Sequence, residues 1–378
     1  MNRKQVQGNT VFSPLGDVVR IRNGKDCKTF GAGKIPVYGS GGIIRRIDTA
    51  AYDKPSVLIP RKGSLNKLYY VDEPFWTVDT IFYTEIDENL IVPKFFYYFL
   101  ATQHIEELNQ AGGVPSLTQT SLNKIRILLP PLEVQREIVR VLDTFTELEA
   151  ELEAELEARQ KQYRHYRDNL LNFNDNMRGG VSWKTMGEIG TFVRGNGLQK
   201  KDFTDSGVGC IHYGQIYTYY GTFADKTKSF VSESFAKKMR KAHTGDLVIA
   251  TTSENDEDVC KAVAWLGKDE IAISGDAYIY RHSLHPKYAA YFFQTEQFEK
   301  QKKRHISGTK VKRVSGDSMG KFLIPVPPMD EQERIVSILD KFDALVNDIS
   351  EGLPAEITAR RQQYEYYRNR LLTFQEAA

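Results

Sequence analysis

The sequence predicts an α+β chain: two mixed α/β domains in a pseudo-two-fold repeat, separated by two long helical regions that pair with each other. Three observations predict it. Two sequence blocks return about 200 residues after their first appearance, these blocks carry a helical stripe of apolar residues, and the segments between them carry short β-rich runs broken by Gly, Pro and Asp. At 378 residues the chain is also too long for one ordinary core.

The first mixed domain covers residues 1–129, with strands expected at 56–60 and 68–71 and a helix near 93–109. The first helical region, 130–175, opens on Pro130-Pro131, which suits a helix N-terminus. Ile138, Leu142, Phe145, Leu148, Leu152 and Leu156 recur at three- and four-residue steps, and Tyr163, Tyr166 and Leu170 extend the stripe. The second mixed domain covers 176–326, with strands expected at 246–250 and 271–274 and a helix at 286–303. The second helical region, 327–378, carries Ile335, Leu339, Phe342, Val346 and Ile349, and Gly352 and Pro354 should break it. Each helical region reaches about 40 residues, roughly 60 Å if straight. A stripe that long needs a long partner, and the other repeat is the natural one.

The repeat sets the domain order. PPLEVQREIV at 130–139 returns as PPMDEQERIV at 327–336, an offset of 197, and Leu142, Asp143 and Phe145 return as Leu339, Asp340 and Phe342. Farther on, RQKQYRHYRDNLLNF at 159–173 returns as RRQQYEYYRNRLLTF at 360–374, now offset by 201. The four-residue difference is close to one helical turn. Upstream, SLNKIRILLPP at 121–131 matches SMGKFLIPVPP at 318–328, and Leu15-Gly16-Asp17 matches Met186-Gly187-Glu188. Residues 20–115 and 190–310 share no such likeness, so variable and shared blocks alternate.

Formal net charge is only +2, but it is unevenly spread. Basic residues crowd 20–67, and the run from Lys300 to Arg313 holds no acid, whereas 147–157 holds six Glu. Two basic patches suit a polyanion such as DNA, which the acidic stretch would repel. Cys27, Cys210 and Cys260 form no CxxC pair, which predicts neither a disulfide framework nor structural zinc. No apolar run nears the roughly 18 residues of a membrane span, and MNRKQVQGNTVF lacks the apolar stretch of a signal peptide. The expected location is cytoplasmic. No GxxxxGKS/T occurs, so ATP-driven movement would have to come from a partner. Gly31–Lys34 and Gly39–Gly42 lack the helix-opening pattern of a nucleotide site, and Asn174-Asp175-Asn176-Met177 lacks the prolines of a methyltransferase base loop. His282 and His285 have no third metal ligand at suitable spacing and read as surface histidines. The expectation is a chain that is non-catalytic alone and holds no metal.

The PP(L/M)xxQxxIVxxLDxF block, the RxxQYxxYRxxLLxF ending and EGLPAEI at 351–357 resemble the DNA specificity subunit of type I restriction–modification systems. The resemblance covers almost the whole chain. IPVYGSGG (35–42), VLIPRKGS (57–64) and PFWTVDT (74–80) also resemble stretches common in that family's recognition domains. It implies that each mixed domain is a target-recognition domain reading one half of a split, asymmetric DNA sequence. It further implies that the long helices pair as an antiparallel coiled coil, a fixed spacer docking two methyltransferase subunits, with motor-nuclease subunits joining that core. S-adenosylmethionine, ATP and Mg²⁺ then belong to the partner subunits, and this chain takes no cofactor.

Small residues at Gly39–Gly42 permit close backbone approach to a duplex. Ser40, Gly41, Arg61, Lys62, Ser64, Asn66 and Lys67 are the first domain's candidates for phosphates and groove edges. Tyr213, Gln215, Thr251, Thr252, Ser253, Lys310, Lys312 and Arg313 are the second domain's. Tyr69, Tyr70, Trp76, Tyr219 and Tyr220 are expected in the core. Helix pairing and partner docking rest on Ile138, Leu142, Phe145, Leu152 and Tyr163, with Ile335, Leu339, Phe342 and Tyr364 opposite. The rival classes are a helical scaffold that binds partners but not DNA, and a self-sufficient nuclease or methylase, against which the missing motifs argue.

Overall fold

A computed structural model describes residues 11–109, 113–173, 181–347 and 352–372. Ala111 and Gly112, which with Gly113 and Val114 precede the first shared block much as Ser307–Lys310 precede the second, lie outside the described residues, as do the Asn174–Met177 string, Ile349 and Glu351. The chain divides into two compact units, Met1–Leu152 with Ile357–Ala378, and Glu153–Glu356.

The domain of the first unit runs β1 (Val11–Pro14), β2 (Val19–Asn23), β3 (Ala32–Gly39), β4 (Gly42–Ile47), β5 (Ser56–Pro60), β6 (Tyr69–Val71), β7 (Trp76–Thr77), β8 (Ile81–Ile86) and β9 (Arg126–Leu129). Strands β2, β8, β5 and β6 form the central sheet in that order, β4, β3 and β7 form a second, and β1 pairs with β9. One face of β2 is wet, so Val19 and Ile21 are buried while Arg20 and Arg22 are exposed. β5 is buried along its whole length, hence its nearly continuous apolar sequence. Helix α1 (Pro93–Leu100) sinks Phe95, Phe96 and Phe99 into the core that holds Val57, Ile59 and Phe82. Helix α2 (Leu132–Leu170) then runs 39 residues from the double proline, as its stripe predicts.

The second domain runs β10 (Ser182–Thr185), β11 (Gly190–Arg194), β12 (Val208–Ile211), β13 (Phe223–Ala224), β14 (Ser229–Val231), β15 (Lys241–Ala242), β16 (Leu247–Ala250), β17 (Thr252–Ser253), β18 (Ala262–Trp265), β19 (Ile271–Ile273), β20 (Ala277–His282), β21 (Lys312–Arg313) and β22 (Leu323–Val326). Its central sheet is β11-β20-β16-β18-β13 and its second is β14-β12-β19-β15. Helices α3 (Pro286–Phe292) and α4 (Glu296–Lys303) follow β20, α5 (Met329–Asn347) follows β22, and α6 (Leu353–Leu372) ends the fold.

Two expected helices are interrupted. The one near 93–109 stops at Leu100, and the chain passes through left-handed His104 (φ 45°) into a 3-10 turn at Ile105–Leu108. The one at 286–303 is cut at Thr295, whose hydroxyl accepts the Phe298 amide at 3.2 Å and starts α4 afresh. At the expected break, Gly352 is a bend and not helix, and α6 starts afresh at Leu353 with Pro354 in its first turn.

The repeated polar residues clamp each domain to a long helix. Gln135 accepts the Val92 amide and donates to the Pro130 carbonyl, both at 2.8 Å. Gln332 does the same with the His285 amide and the Pro327 carbonyl, again at 2.8 Å. Asp143 accepts from Lys94 at 2.8 Å and from the Tyr98 hydroxyl at 2.7 Å, and Asp340 accepts from Lys287 and Tyr291 at 2.7 Å each. An amide at a helix entry has no intrahelical acceptor, so each Gln meets that need while tying domain to helix.

The apolar stripe has two destinations in each unit. In the first, Ile138 and Leu142 face the domain's own core together with Leu372 of α6. Phe145 stacks on Tyr367 at 5.5 Å and lies 6.4 Å from Tyr364, while Glu149 pairs with Arg361 at 2.5 Å. Partners descend α6 as they climb α2, so this pair is antiparallel. In the second unit Ile335, Leu339 and Tyr163 share one core, the Tyr163 hydroxyl donates to Asp343 at 3.3 Å, and Phe342 stacks on Tyr166 at 5.4 Å. Leu152 is buried as well. Ile138, Leu142, Ile335 and Leu339 thus face their own domain's core as well as the other repeat, where the stripe alone predicted only the other repeat. Aromatic α1 needs a cover, and the nearest turns of α2 supply it.

Candidate nucleic-acid interface

In the first domain β3 and β4 turn through Ser40 and Gly41, with Gly39 paired to Gly42. Gly42 has φ +117°, a conformation that only glycine adopts without strain. The Ser40 amide donates to the Thr80 hydroxyl at 3.3 Å, and the Tyr69 hydroxyl donates to the Ser40 carbonyl at 3.3 Å. The Thr80 carbonyl accepts the amides of Arg61 (2.9 Å) and Lys62 (3.2 Å). Lys62 bridges to Ser116, the Leu117 amide bonds the Arg61 carbonyl at 2.9 Å, and the Gly63 amide bonds Pro115 at 3.1 Å. Segments far apart in sequence therefore meet around Ser40, Gly41, Arg61 and Lys62. Ser64, Asn66 and Lys67 lie exposed on the adjoining turn, and the Arg61 guanidinium sits 5.7 Å above the Phe82 ring. Lys62 is only loosely paired, 3.8 Å from exposed Asp79.

The second domain builds the equivalent corner with other side chains. β17 pairs with β21, Thr252 opposite Arg313 and Ser253 opposite Lys312, and the Val314 amide bonds the Thr251 carbonyl at 3.3 Å. These contacts repeat those of Lys62 with Ser116 and of Leu117 with Arg61. The exposed loop between Ser307 and Arg313 carries Lys310 and turns at Gly308, φ +92°. Thr251 and Thr252 are buried and donate to Asp276, and Ser253 is buried, its hydroxyl accepting the Asn255 amide. Lys312 pairs with Asp256 at 3.2 Å. Gln215 is engaged inside the domain, accepting the His212 amide at 3.0 Å and donating to Ser229 at 2.7 Å. Tyr213 is half-buried, and its amide donates to Ser274. Lys310 and Arg313 remain the exposed cations of this corner.

Other expectations change. Lys302, counted in the basic run, is buried and donates to Glu299 and to the Glu257 carbonyl, so it adds no surface charge. His282 and His285 are half-buried rather than surface residues, and burial lowers both, His282 to about 4. Tyr219 is exposed, while Trp76 and Tyr220 are buried as expected and Tyr69 and Tyr70 are half-buried. Cys27, Cys210 and Cys260 are free and buried, and burial pushes the Cys260 thiol up to about 12. Among the described residues no group of three His, Cys, Asp or Glu is arranged for a metal ion, and no helix is long and apolar enough to cross a membrane.

The clamp partners Lys94, Tyr98, Lys287 and Tyr291 escaped the sequence reading. Their signal was present: PKxxxY begins at Pro93 and again at Pro286, an offset of 193.

Comparison with known proteins places this architecture. The family model described as the type I restriction modification DNA specificity domain matches residues 8–158 and again 180–359. The putative type I restriction enzyme specificity subunit S.HindORF215P of Haemophilus influenzae is 30% identical, over 98% of this chain and 97% of its own. The EcoR124I/EcoR124II specificity subunit of Escherichia coli is 34% identical over 77% of this chain and 73% of its own. Among solved structures, the type I restriction–modification S subunit of M. genitalium covers 97% of both chains at TM-score 0.59 and 16% identity. A chain from a study of complex assembly and conformational transition of the type I system covers 97% of this chain and 98% of its own, at TM-score 0.66 and 13% identity.

Proposed function

The chain belongs to the type I restriction modification DNA specificity family, and on that premise we propose a division of labour among its parts. It is the specificity subunit of a type I restriction–modification system. The first domain reads one half of a split, asymmetric target in double-stranded DNA, and the second domain reads the other half. The long helices form an antiparallel coiled coil that sets the unread gap and docks two methyltransferase subunits, which motor-nuclease subunits join. The chain itself is non-catalytic and acts in the cytoplasm. Methyl donor, ATP and Mg²⁺ bind the partner subunits.

The observation that carries this reading is the duplicated corner. Lys62 opposite Ser116 and Thr252 opposite Arg313 use the same backbone pairing with different side chains, as two readers of different sequences require. Exposed cations at both corners suit phosphates.

The ruler lies in α2. LEAE at 148–151, LEAE at 152–155 and LEAR at 156–159 repeat every four residues, so one unit can be removed with the Leu stripe nearly in phase. Four residues span about 6 Å, at most roughly two base pairs. The chain is reconstituted with a methyltransferase partner, and methylated sites are mapped genome-wide for the natural chain and for a Leu152–Glu155 deletion. The expected result is one split target, with both halves retained and the gap shortened by one or two base pairs in the deletion. An unchanged gap with retained activity would remove α2 as the ruler. Absence of salt-dependent affinity for duplex DNA would leave the scaffold reading instead.

A further inference from the structure

We propose that the β3–β4 arm enters the groove of the first half-site and that Ile43 and Ile44 read thymine methyl groups there. The inference rests on the proposed function and adds to it the side chains that discriminate. Ile43 and Ile44 are 51% and 57% exposed and adjacent in the chain. Every residue of β4 from Ile43 to Arg46 is exposed, so this edge strand has solvent on both faces instead of the usual one. Single exposed aliphatics are ordinary, but an adjacent pair on a bare edge strand invites unwanted pairing and needs a reason. The ladder also slips here: Val37 pairs with Arg45 and Tyr38 with Ile43, which leaves Ile44 as the extra residue of a bulge. A bulge re-aims the side chain it carries.

Charge selects the occupant. From Ala32 to Ile47 the arm holds Lys34, Arg45 and Arg46 and no carboxylate. Arg45 donates to the Phe30 carbonyl at 2.9 Å and Arg46 to the Lys34 carbonyl at 2.7 Å, which braces both guanidinium groups along the arm and leaves their charge intact. An apolar tip between braced cations suits a polyanion with apolar groups inside it. The major groove has that chemistry: it admits a two-stranded ribbon, is bordered by phosphates and exposes the thymine methyl. The arm's turn is also part of the basic corner, because Ser40 and Arg61 both bond Thr80. The second domain has a different second sheet in place of this arm, so the effect belongs to one half-site.

The test uses the complex reconstituted with a methyltransferase partner, on duplexes carrying the mapped target with uracil replacing thymine one position at a time. Uracil differs from thymine only in lacking the methyl group. The natural chain should lose about tenfold in affinity at one or more thymines of the first half-site and show no loss across the second. Ile43→Ser/Ile44→Ser should bind the thymine duplex as weakly as the natural chain binds uracil and ignore the replacement. Ile43→Val/Ile44→Val should keep most of the discrimination, with both variants melting like the natural chain. Full uracil sensitivity in the Ser variant, no sensitivity in the natural chain, or a first half-site without A·T pairs would overturn the proposal. Failure to find any split methylated target would instead defeat the function on which it rests.

Discussion

In the first domain Asp143 accepts from Lys94 and Tyr98, in the second Asp340 accepts from Lys287 and Tyr291, and the four distances agree within 0.1 Å. Away from those clamps the same two domains part company. One carries the β4-β3-β7 arm and the other the β14-β12-β19-β15 sheet. Where a domain must meet a long helix, geometry and residue types are held together. Where it faces solvent they are free to diverge. On the proposed function, this difference divides the parts that carry the reader from the parts that read.

The comparison is sharpest at one strand position. Ile86 pairs with Val19 in the first domain, and His282 pairs with Gly190 at the equivalent place in the second. Burial lowers His282 from 6.5 to about 4. Between those values the unfolded chain binds a proton that the folded chain does not, so stability is present above pH 6.5 and falls as the pH drops towards 4. The loss for the second unit reaches about 3 kcal/mol. Asp343, whose carboxyl burial holds above the usual range, opposes part of it. His282→Ile should reduce this acid sensitivity and leave the part due to His285 and His212, which burial also lowers, as read by denaturant unfolding at pH 7 and pH 4.5. An identical pH dependence in the variant would show that His282 is not its source.

A smaller effect tests the clamps. Asp143→Ala and Asp340→Ala each strand a tyrosine hydroxyl and a lysine, at a cost of about 1–3 kcal/mol. Thermal unfolding should report similar losses for both. A loss at one site alone would make the likeness of the two clamps geometric rather than energetic.

The long helices were legible because a three- and four-residue stripe has few other meanings, and the β5 and β16 runs because buried central strands are almost purely apolar. The repeat flagged Gln135, Asp143, Gln332 and Asp340, but their partners lie outside the shared blocks at a different offset. The candidate interface was only partly legible. Composition marks Arg61 and Lys62 but does not say that Thr80 and Ser116 join them. Nor does it distinguish exposed Lys310 from buried Lys302, whose partners are a carboxylate three residues back and a distant loop carbonyl. Gln215, Thr251 and Ser253 look like groove-reading donors in sequence, yet their amide and hydroxyl groups are engaged inside the domain, Gln215 by Ser229, Thr251 by the Asp276 carbonyl and Ser253 by the Asn255 amide.

The central claim is that the unlike regions read and the like regions carry. Its most direct test replaces residues 20–115 with the corresponding block of another family member and maps methylated sites in the reconstituted complex. The account predicts a new first half-site, with the second half-site and the gap unchanged. A change in both half-sites, or in neither, would contradict it.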